Sequence, residues 1–153
     1  MGYGNYSYTD REHRAIRSGY HSAPEAQFKN SSLSPLMSPY NLKVRESRDS
    51  EEHPNTYPVI IALDVTGSMS KIPYELISTG LPKIMQIIKE KGVKDVQVLF
   101  LGIGDHIYDK APLQVGQFES SDELLDKWLT STYLEKGGGG NAGESYLLAW
   151  QVA

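Results

Sequence analysis

The first indication of the fold comes from residues 59–70, Val59-Ile60-Ile61-Ala62-Leu63-Asp64-Val65-Thr66-Gly67-Ser68-Met69-Ser70, in which an apolar run is followed from Asp64 by oxygen-bearing side chains. The run of five apolar residues is too short for a typical helix and does not alternate with polar residues, which favours a strand buried on both faces. We therefore predict a central parallel strand that ends at Asp64. Open α/β sheets bind ligands at the carboxyl ends of their strands, because the loops diverge there and leave a crevice.

Three oxygen donors follow this strand at alternate positions, Asp64, Thr66 and Ser68, and Gly67 between them allows a tight turn. Such a turn can direct one carboxylate and two hydroxyl groups towards a single point. Hard oxygen donors of this kind suit Mg²⁺, Mn²⁺ or Ca²⁺ and not a soft metal. The alternative from the same residues is that Thr66 and Ser68 cap the next helix while Asp64 is a hydrogen-bonded carboxylate at the strand end.

The segment Asp64-Val65-Thr66-Gly67-Ser68 resembles the Asp-x-Ser-x-Ser signature of von Willebrand factor A domains, with Thr66 in place of the first serine. That signature is the family's metal-ion-dependent adhesion site. The resemblance covers roughly residues 58–153 and implies a three-layer, doubly wound (Rossmann-like) α/β fold. Two enzyme signatures fit less well. Aspartic proteases carry Asp-Thr-Gly, which Val65 interrupts here, and haloacid dehalogenase phosphatases need a second Asp where Thr66 stands.

The glycine-rich segment at residues 137–144 is the second feature that resembles the family. In von Willebrand factor A domains this loop presents a threonine to the metal, and Gly140 takes that place here. The resemblance then implies that Asn141 or Glu144 supplies the missing oxygen. The alternative is a flexible connection that simply precedes a helix. Asp105, which follows the second predicted strand, is a further candidate metal ligand.

A kinked helix is predicted directly after the motif. Apolar residues recur at three- and four-residue steps over residues 73–91, which indicates a helix with one face on the sheet. Pro82 removes an internal hydrogen bond, so we expect a kink near residues 78–80. Gly92 is placed to end the helix.

The remaining pattern predicts two strands and two helices. Residues 96–103 read as a second buried strand, parallel to the first because the connection of about thirty residues contains a helix. Residues 113–118 alternate apolar with small or polar residues, which predicts a half-exposed antiparallel edge strand. Ser120 or Ser121 is placed to cap a helix that runs to about residue 130. A last helical run covers residues 146–152.

Composition excludes several classes of partner. The chain of 153 residues has a net charge of −4 and an isoelectric point near 5.5, so it offers no positive surface to nucleic acid or an anionic membrane. The absence of cysteine excludes disulfides and thiolate metal sites. No signal peptide and no apolar run of about 20 residues is present. We therefore expect a cytoplasmic protein that binds neither nucleic acid nor a membrane.

Two regions differ in composition. Residues 1–56 are polar, rich in Tyr, Ser, Arg and Pro, and lack a sustained period. We predict a disordered N-terminal tail, because little there repays the entropy of ordering. A segment such as residues 33–42, which has scattered apolar anchors, could still lie across the domain as an arm. Residues 57–153 form the predicted domain, which lacks the family's later strands and distal Asp loop, so we expect it to be incomplete at its C-terminus.

These observations favour a divalent-metal-dependent protein-interaction module that binds a partner's acidic residue through the metal. The resemblance also implies partnership with an ATPase of the MoxR type as one option. Two alternatives stay open. One is a metal-free scaffold, and the other is a metal-dependent hydrolase in which Asp64, Asp105, His106 and Asp109 activate a water molecule. We do not predict an enzyme.

Overall fold

The computed structural model of the chain describes residues 4–19, 28–69, 71–135 and 145–153. Within these residues no helix is long and apolar enough to cross a membrane. The regular elements are, in chain order, α1 (Tyr8–Arg17), β1 (Tyr57–Asp64), α2 (Ile72–Glu75), α3 (Leu81–Glu90), β2 (Val96–Ile103), β3 (Leu113–Val115), α4 (Asp122–Thr130) and α5 (Tyr146–Val152). The chain is therefore of the α/β class, as predicted.

The strands form one mixed sheet in the order β1-β2-β3. β1 and β2 are parallel and in register over eight residues, from Tyr57 opposite Val96 to Asp64 opposite Ile103. β3 is antiparallel to β2. The predicted direction of all three strands and the bounds of β2 are confirmed. In the described sheet, however, the central strand is β2, and β1 lies at an edge.

Burial of the two outer strands differs from the prediction. Of the β1 residues only Leu63 is buried, and Ile60 is 36% exposed, because β1 pairs with one strand and its outward positions are not covered by described residues. β3 was expected to be half-exposed, yet all three of its residues are buried. The polar position of β3, Gln114, is buried because its side-chain amide exchanges two hydrogen bonds with the backbone of Tyr133, at 2.7 and 2.8 Å.

Apolar side chains pack on both faces of the sheet because consecutive residues of β2 point to opposite sides. Val98 and Phe100 join a core with residues of α3 and α4, such as Met85 and Leu125. The alternate residues of β2 point to the other face and join a second core with α5 and β3. These residues are Leu99, Leu101 and Ile103. Helices thus cover β2 from both sides and leave its carboxyl end open to the loops.

The predicted kink before Pro82 is present as a π-helical turn, Leu76–Gly80, between α2 and α3. The backbone N–H of Leu81 bonds to the carbonyl of Leu76, five residues back. The carbonyl of Ile77 therefore loses its normal partner, and its π-helical partner would be Pro82, which has no N–H. Beyond α3, Gly92 adopts φ +77° and ends the helix with its N–H bonded to Lys89, as predicted.

Arg11, in α1, supplies the missing donor. Its Nη2 donates to the Ile77 carbonyl at 2.8 Å, and its Nε donates to Asp126 of α4 at 3.0 Å. Arg14, one turn further along α1, pairs with both Asp122 and Asp126. α1 is thereby fixed to α4 and to the π-helical turn by charged groups, although it has few apolar residues.

The described parts of residues 1–56 consequently differ from the disordered tail that we predicted. Phe28 and Met37 are buried in the same core as α3 and α4, and Met37 is 0% exposed. The backbone around Arg48 is held by Gln97 of β2, a buried side chain that accepts from Ser47 Oγ at 2.8 Å. Polar side chains that bond across long sequence separations hold this segment, and hydrophobic periodicity does not detect them.

We expect Arg11→Met to lower the free energy of unfolding by about 2–4 kcal/mol, because it leaves the Ile77 carbonyl and part of Asp126 without a donor. Urea unfolding measures this, with Arg17→Met, an exposed position of α1, as the matched control. In a Pro82→Ala background the restored N–H can serve Ile77, so the loss should shrink by about 1 kcal/mol. Equal losses in both backgrounds would contradict the role given to the Ile77 carbonyl.

Candidate functional site

The loop after β1 brings its three predicted donors together. Asp64 Oδ1 accepts from the backbone N–H of Thr66 at 2.9 Å and from its hydroxyl at 2.6 Å. The Thr66 and Ser68 hydroxyl oxygens are 3.0 Å apart. Since Thr66 donates its proton to Asp64, the Ser68 hydroxyl must donate to Thr66. One carboxylate and two hydroxyl oxygens thus lie in a row, with Thr66 buried and Ser68 exposed.

Asp105 lies at the end of the neighbouring strand, as predicted, and is only 3% exposed. Its Oδ1 accepts from the backbone N–H of Ile107 at 2.7 Å, whereas its Oδ2 is buried and has no hydrogen-bond partner among the described residues. Asp109 returns across the same turn, where its Oδ2 accepts from the Asp105 N–H at 2.7 Å. The turn therefore contains a buried carboxylate oxygen that is open to a further partner.

Glu135 is a site residue that the sequence interpretation missed. Its backbone N–H donates to the carbonyl of Val65, beside the Asp64 loop, and its Oε1 accepts from the backbone N–H groups of Lys110 and Ala111 at 2.8 and 3.0 Å. It also lines a cleft of about 220 Å³ with Thr66 and Gly67. Its position two residues before the glycine-rich segment was the one signal available in the sequence.

The acidic groups at this end of the sheet influence one another. Burial raises the pKa of Asp109 above its usual 3.8, and the negative charges of Glu135, Asp105 and Asp64 raise it further. The hydrogen bond from the backbone of Asp105 acts in the opposite direction. Four carboxylates thus come within electrostatic range, and a cation at this edge would relieve their repulsion.

Two predicted ligands, Asn141 and Glu144, lie outside the described residues, as does Gly140. The next described residues connect to the site directly. The Ser145 backbone N–H donates to the carbonyl of Gly104, and the Tyr146 hydroxyl donates to Asp64 Oδ2 at 3.3 Å. The start of α5 therefore packs against the ends of both parallel strands. Sequence interpretation placed this helix correctly but did not identify the Tyr146 contact.

His106 does not have the geometry of a nucleophile and base arranged by an acid. Its Nδ1 lies 2.9 Å from Ser145 Oγ and 3.9 Å from Asp105 Oδ1, so the hydroxyl and the carboxylate both face the same ring nitrogen. A catalytic triad needs the acid on one ring nitrogen and the nucleophile on the other. The Ser145 hydroxyl also accepts from the backbone N–H of His106 at 3.0 Å, so this contact anchors α5 to the turn after β2.

Comparisons with models of protein families, with curated proteins and with solved structures gave no match to this chain. Within the described residues, no group of three or more His, Cys, Asp or Glu side chains is arranged to hold a metal ion. A site formed by one carboxylate and two hydroxyl groups does not meet this description, because Thr and Ser are not among these residue types. What this edge of the sheet offers is therefore a set of hard oxygen atoms and excess negative charge.

We expect Asp109→Asn to stabilise the chain in EDTA at neutral pH, because the raised pKa means that folding disfavours the charged carboxylate. The direction of this pH effect follows from the number of protons that each state binds. The folded state holds more protons than the unfolded state just above pH 3.8, so stability falls as the pH rises through the window up to the raised pKa. The melting temperature, measured from pH 3 to 8, should therefore fall less steeply with rising pH for the variant than for the unmodified chain. An identical pH dependence in both chains would contradict this.

Proposed function

We propose that the chain is a divalent-metal-dependent protein-interaction module of the von Willebrand factor A type, which binds an acidic residue of a partner protein through a metal held by Asp64, Thr66 and Ser68. The observation that carries the proposal is the row of oxygen atoms after β1, in which Ser68 donates to Thr66 and Thr66 to Asp64. This row lies where strand-to-helix loops diverge, at the carboxyl end of a parallel strand pair.

The donor set fits Mg²⁺, Mn²⁺ or Ca²⁺, because all three groups are hard oxygen donors. The buried, unpartnered Oδ2 of Asp105 also fits a cation at this edge of the sheet. Asp64 would supply negative charge to the ion, and the two hydroxyl groups would orient it. A bound ion with few anionic protein ligands would remain able to attract a carboxylate from a partner. Asn141 and Glu144 remain candidate ligands, because the resemblance implies that the loop containing them presents an oxygen atom to the metal.

The proposal includes the three-layer, doubly wound fold of a von Willebrand factor A domain. A parallel strand pair joined through a helix, followed by an antiparallel third strand and helices on both faces, is compatible with the first half of a three-layer von Willebrand factor A fold. The proposal includes a MoxR-type ATPase as one option for the partner, which the resemblance implies. It also includes a cytoplasmic location, the expectation for a sequence without a recognisable signal peptide or an apolar run of about 20 residues.

The second candidate is a metal-free scaffold, and one observation favours it. Both oxygen atoms of Asp64 already have donors, Oδ1 from Thr66 and Oδ2 from the Tyr146 hydroxyl. In this case the loop would serve only to position α5 and to cap the following turn. Metal titration separates the two candidates.

We expect Mg²⁺ to raise the melting temperature. At a free concentration ten times the dissociation constant, the stabilisation is RT ln 11, about 1.4 kcal/mol, or roughly 3–6 °C for a chain of this size. Asp64→Asn should abolish the shift, and Ser68→Ala should reduce it less, because a neutral hydroxyl contributes less to a dication than a carboxylate. Asp49→Asn, the same change at an exposed residue, is the matched control and should keep the full shift. A melting temperature that ignores Mg²⁺, Mn²⁺ and EDTA would favour the metal-free scaffold.

We expect no metal-dependent hydrolysis of p-nitrophenyl phosphate or p-nitrophenyl acetate, since the His106 ring is 66% exposed and its Nδ1 is shared between Ser145 and Asp105. Release of p-nitrophenol with Mg²⁺ or Mn²⁺ present is the measurement. Turnover that is lost in His106→Ala, but kept in the control His13→Ala on α1, would overturn the interaction-module proposal in favour of a hydrolase.

A further inference from the structure

A cavity of about 580 Å³ lies at the opposite end of β2 from Asp105. Its walls come from the last turns of α3, from the connection to β2, and from the segments that contain Tyr6 and His53. A volume of roughly 300–1,000 Å³ is usual for a pocket that takes a small molecule. Val96, the first residue of β2, forms part of its wall, so the cavity is separated from the Asp64 loop by the length of the strand.

The inner wall of this cavity is apolar. Met85 is buried in the core, and Ile88 and Val96 pack against the same core. A second cavity of about 390 Å³ shares Tyr6, Met85 and Lys89 with the first, so the two form one elongated depression along α3. An apolar body of some length would therefore be removed from water here.

Two residues that line the cavity, Tyr6 and Ser120, have buried hydroxyl oxygens without a hydrogen-bond partner among the described residues. Among the described residues, four buried side-chain oxygen atoms have no partner, and two of these are Tyr6 Oη and Ser120 Oγ. Buried polar groups normally find partners, so each needs an explanation. Burial raises the pKa of Tyr6 to about 12, which keeps its phenol protonated and able to donate. Both hydroxyl groups can donate to an acceptor such as a carboxylate oxygen.

The charge at the rim favours an anion. Lys89 and Lys94 are exposed there, and neither has an ion pair with any described residue. Among the described residues that line the 580 Å³ cavity, the one acidic side chain is Asp95, which lies 3.1 Å from the His53 ring nitrogen Nδ1, and the other ring nitrogen faces the Gly4 carbonyl at 2.9 Å. The two lysines therefore outnumber Asp95 at the mouth of the 580 Å³ cavity, and Glu90 lines only the second cavity.

We infer that this cavity, hereafter the lysine cavity, binds a small amphipathic organic anion. The apolar body lies against Met85, Ile88 and Val96, and its carboxylate both accepts from the Ser120 and Tyr6 hydroxyl groups and pairs with Lys89 and Lys94. Small shifts of the wall must accompany binding, because both hydroxyl oxygens are shielded from solvent. The site is independent of the proposed metal site, since no residue is shared between them.

The test is a titration of the full ¹⁵N-labelled chain with decanoate, below its micelle concentration, followed by ¹H–¹⁵N NMR. We expect saturable shifts at residues 88–96 and at Ser120, with none at Asp64 or Asp105. Decyltrimethylammonium, which has the same chain length but the opposite charge, should bind at least several-fold more weakly. No saturable shifts with decanoate, shifts centred elsewhere, or equal binding of both amphiphiles would overturn the inference.

Variants distinguish the lysine cavity from general charge attraction. Lys89→Ala with Lys94→Ala should weaken decanoate binding about 5–10-fold, whereas Lys83→Ala with Lys91→Ala, which removes the same charge from α3 and its end outside this cavity, should change it less than about 2-fold. Ser120→Ala should weaken binding without lowering the melting temperature, because its hydroxyl has no hydrogen-bond partner in the described part of the chain. Equal effects of both lysine pairs, or a Ser120→Ala variant with unchanged decanoate affinity, would contradict the proposed contacts.

Discussion

The parallel pairing of β1 with β2 is the constraint on which the rest of this structure depends. Eight residue pairs in register bring the carboxyl ends of both strands to one edge, so Asp64 and Asp105 lie on adjacent loops. The same pairing sets the opposite edge, where Val96 begins β2 beside the lysine cavity. Polar chemistry at one edge and an apolar cavity at the other are therefore consequences of a single strand alignment.

Side chains that replace backbone partners complete the fold around this pair. Gln97 and Gln114 are buried on β2 and β3, and each exchanges hydrogen bonds with the backbone of a crossing segment, at Arg48 and at Tyr133. Arg11 does the same for a carbonyl that Pro82 leaves without a donor. An unpartnered buried backbone group is unfavourable, so these contacts tie irregular segments to the sheet where apolar burial alone is limited.

Among the described residues, the buried side-chain oxygen atoms without partners lie mostly where ligands are proposed. Asp105 Oδ2 is at the edge that carries the Asp64 loop, and the Tyr6 and Ser120 hydroxyl groups are in the wall of the lysine cavity. The fourth atom is Glu119 Oε2. The other oxygen of the same carboxylate, Oε1, accepts from Trp128 Nε1 at 3.2 Å. A cation is a suitable partner for Asp105 Oδ2, and a hydrogen-bond acceptor is a suitable partner for the two hydroxyl groups. The ligands proposed at the two ends of the sheet therefore have opposite charge.

The elements with local signals could be predicted from the residues alone: the bounds of β2, the break before Pro82, the Gly92 helix end, a helix capped by Ser120 or Ser121, and the oxygen donors after β1. Only the tertiary structure decided which strand is central, that residues before β1 pack on the core, and that Glu135 and Tyr146 join the site. The physical reason is range. Turn chemistry and hydrophobic period act over a few residues, whereas Arg11, Gln97 and Tyr146 act through hydrogen bonds to partners 50 to 115 positions away.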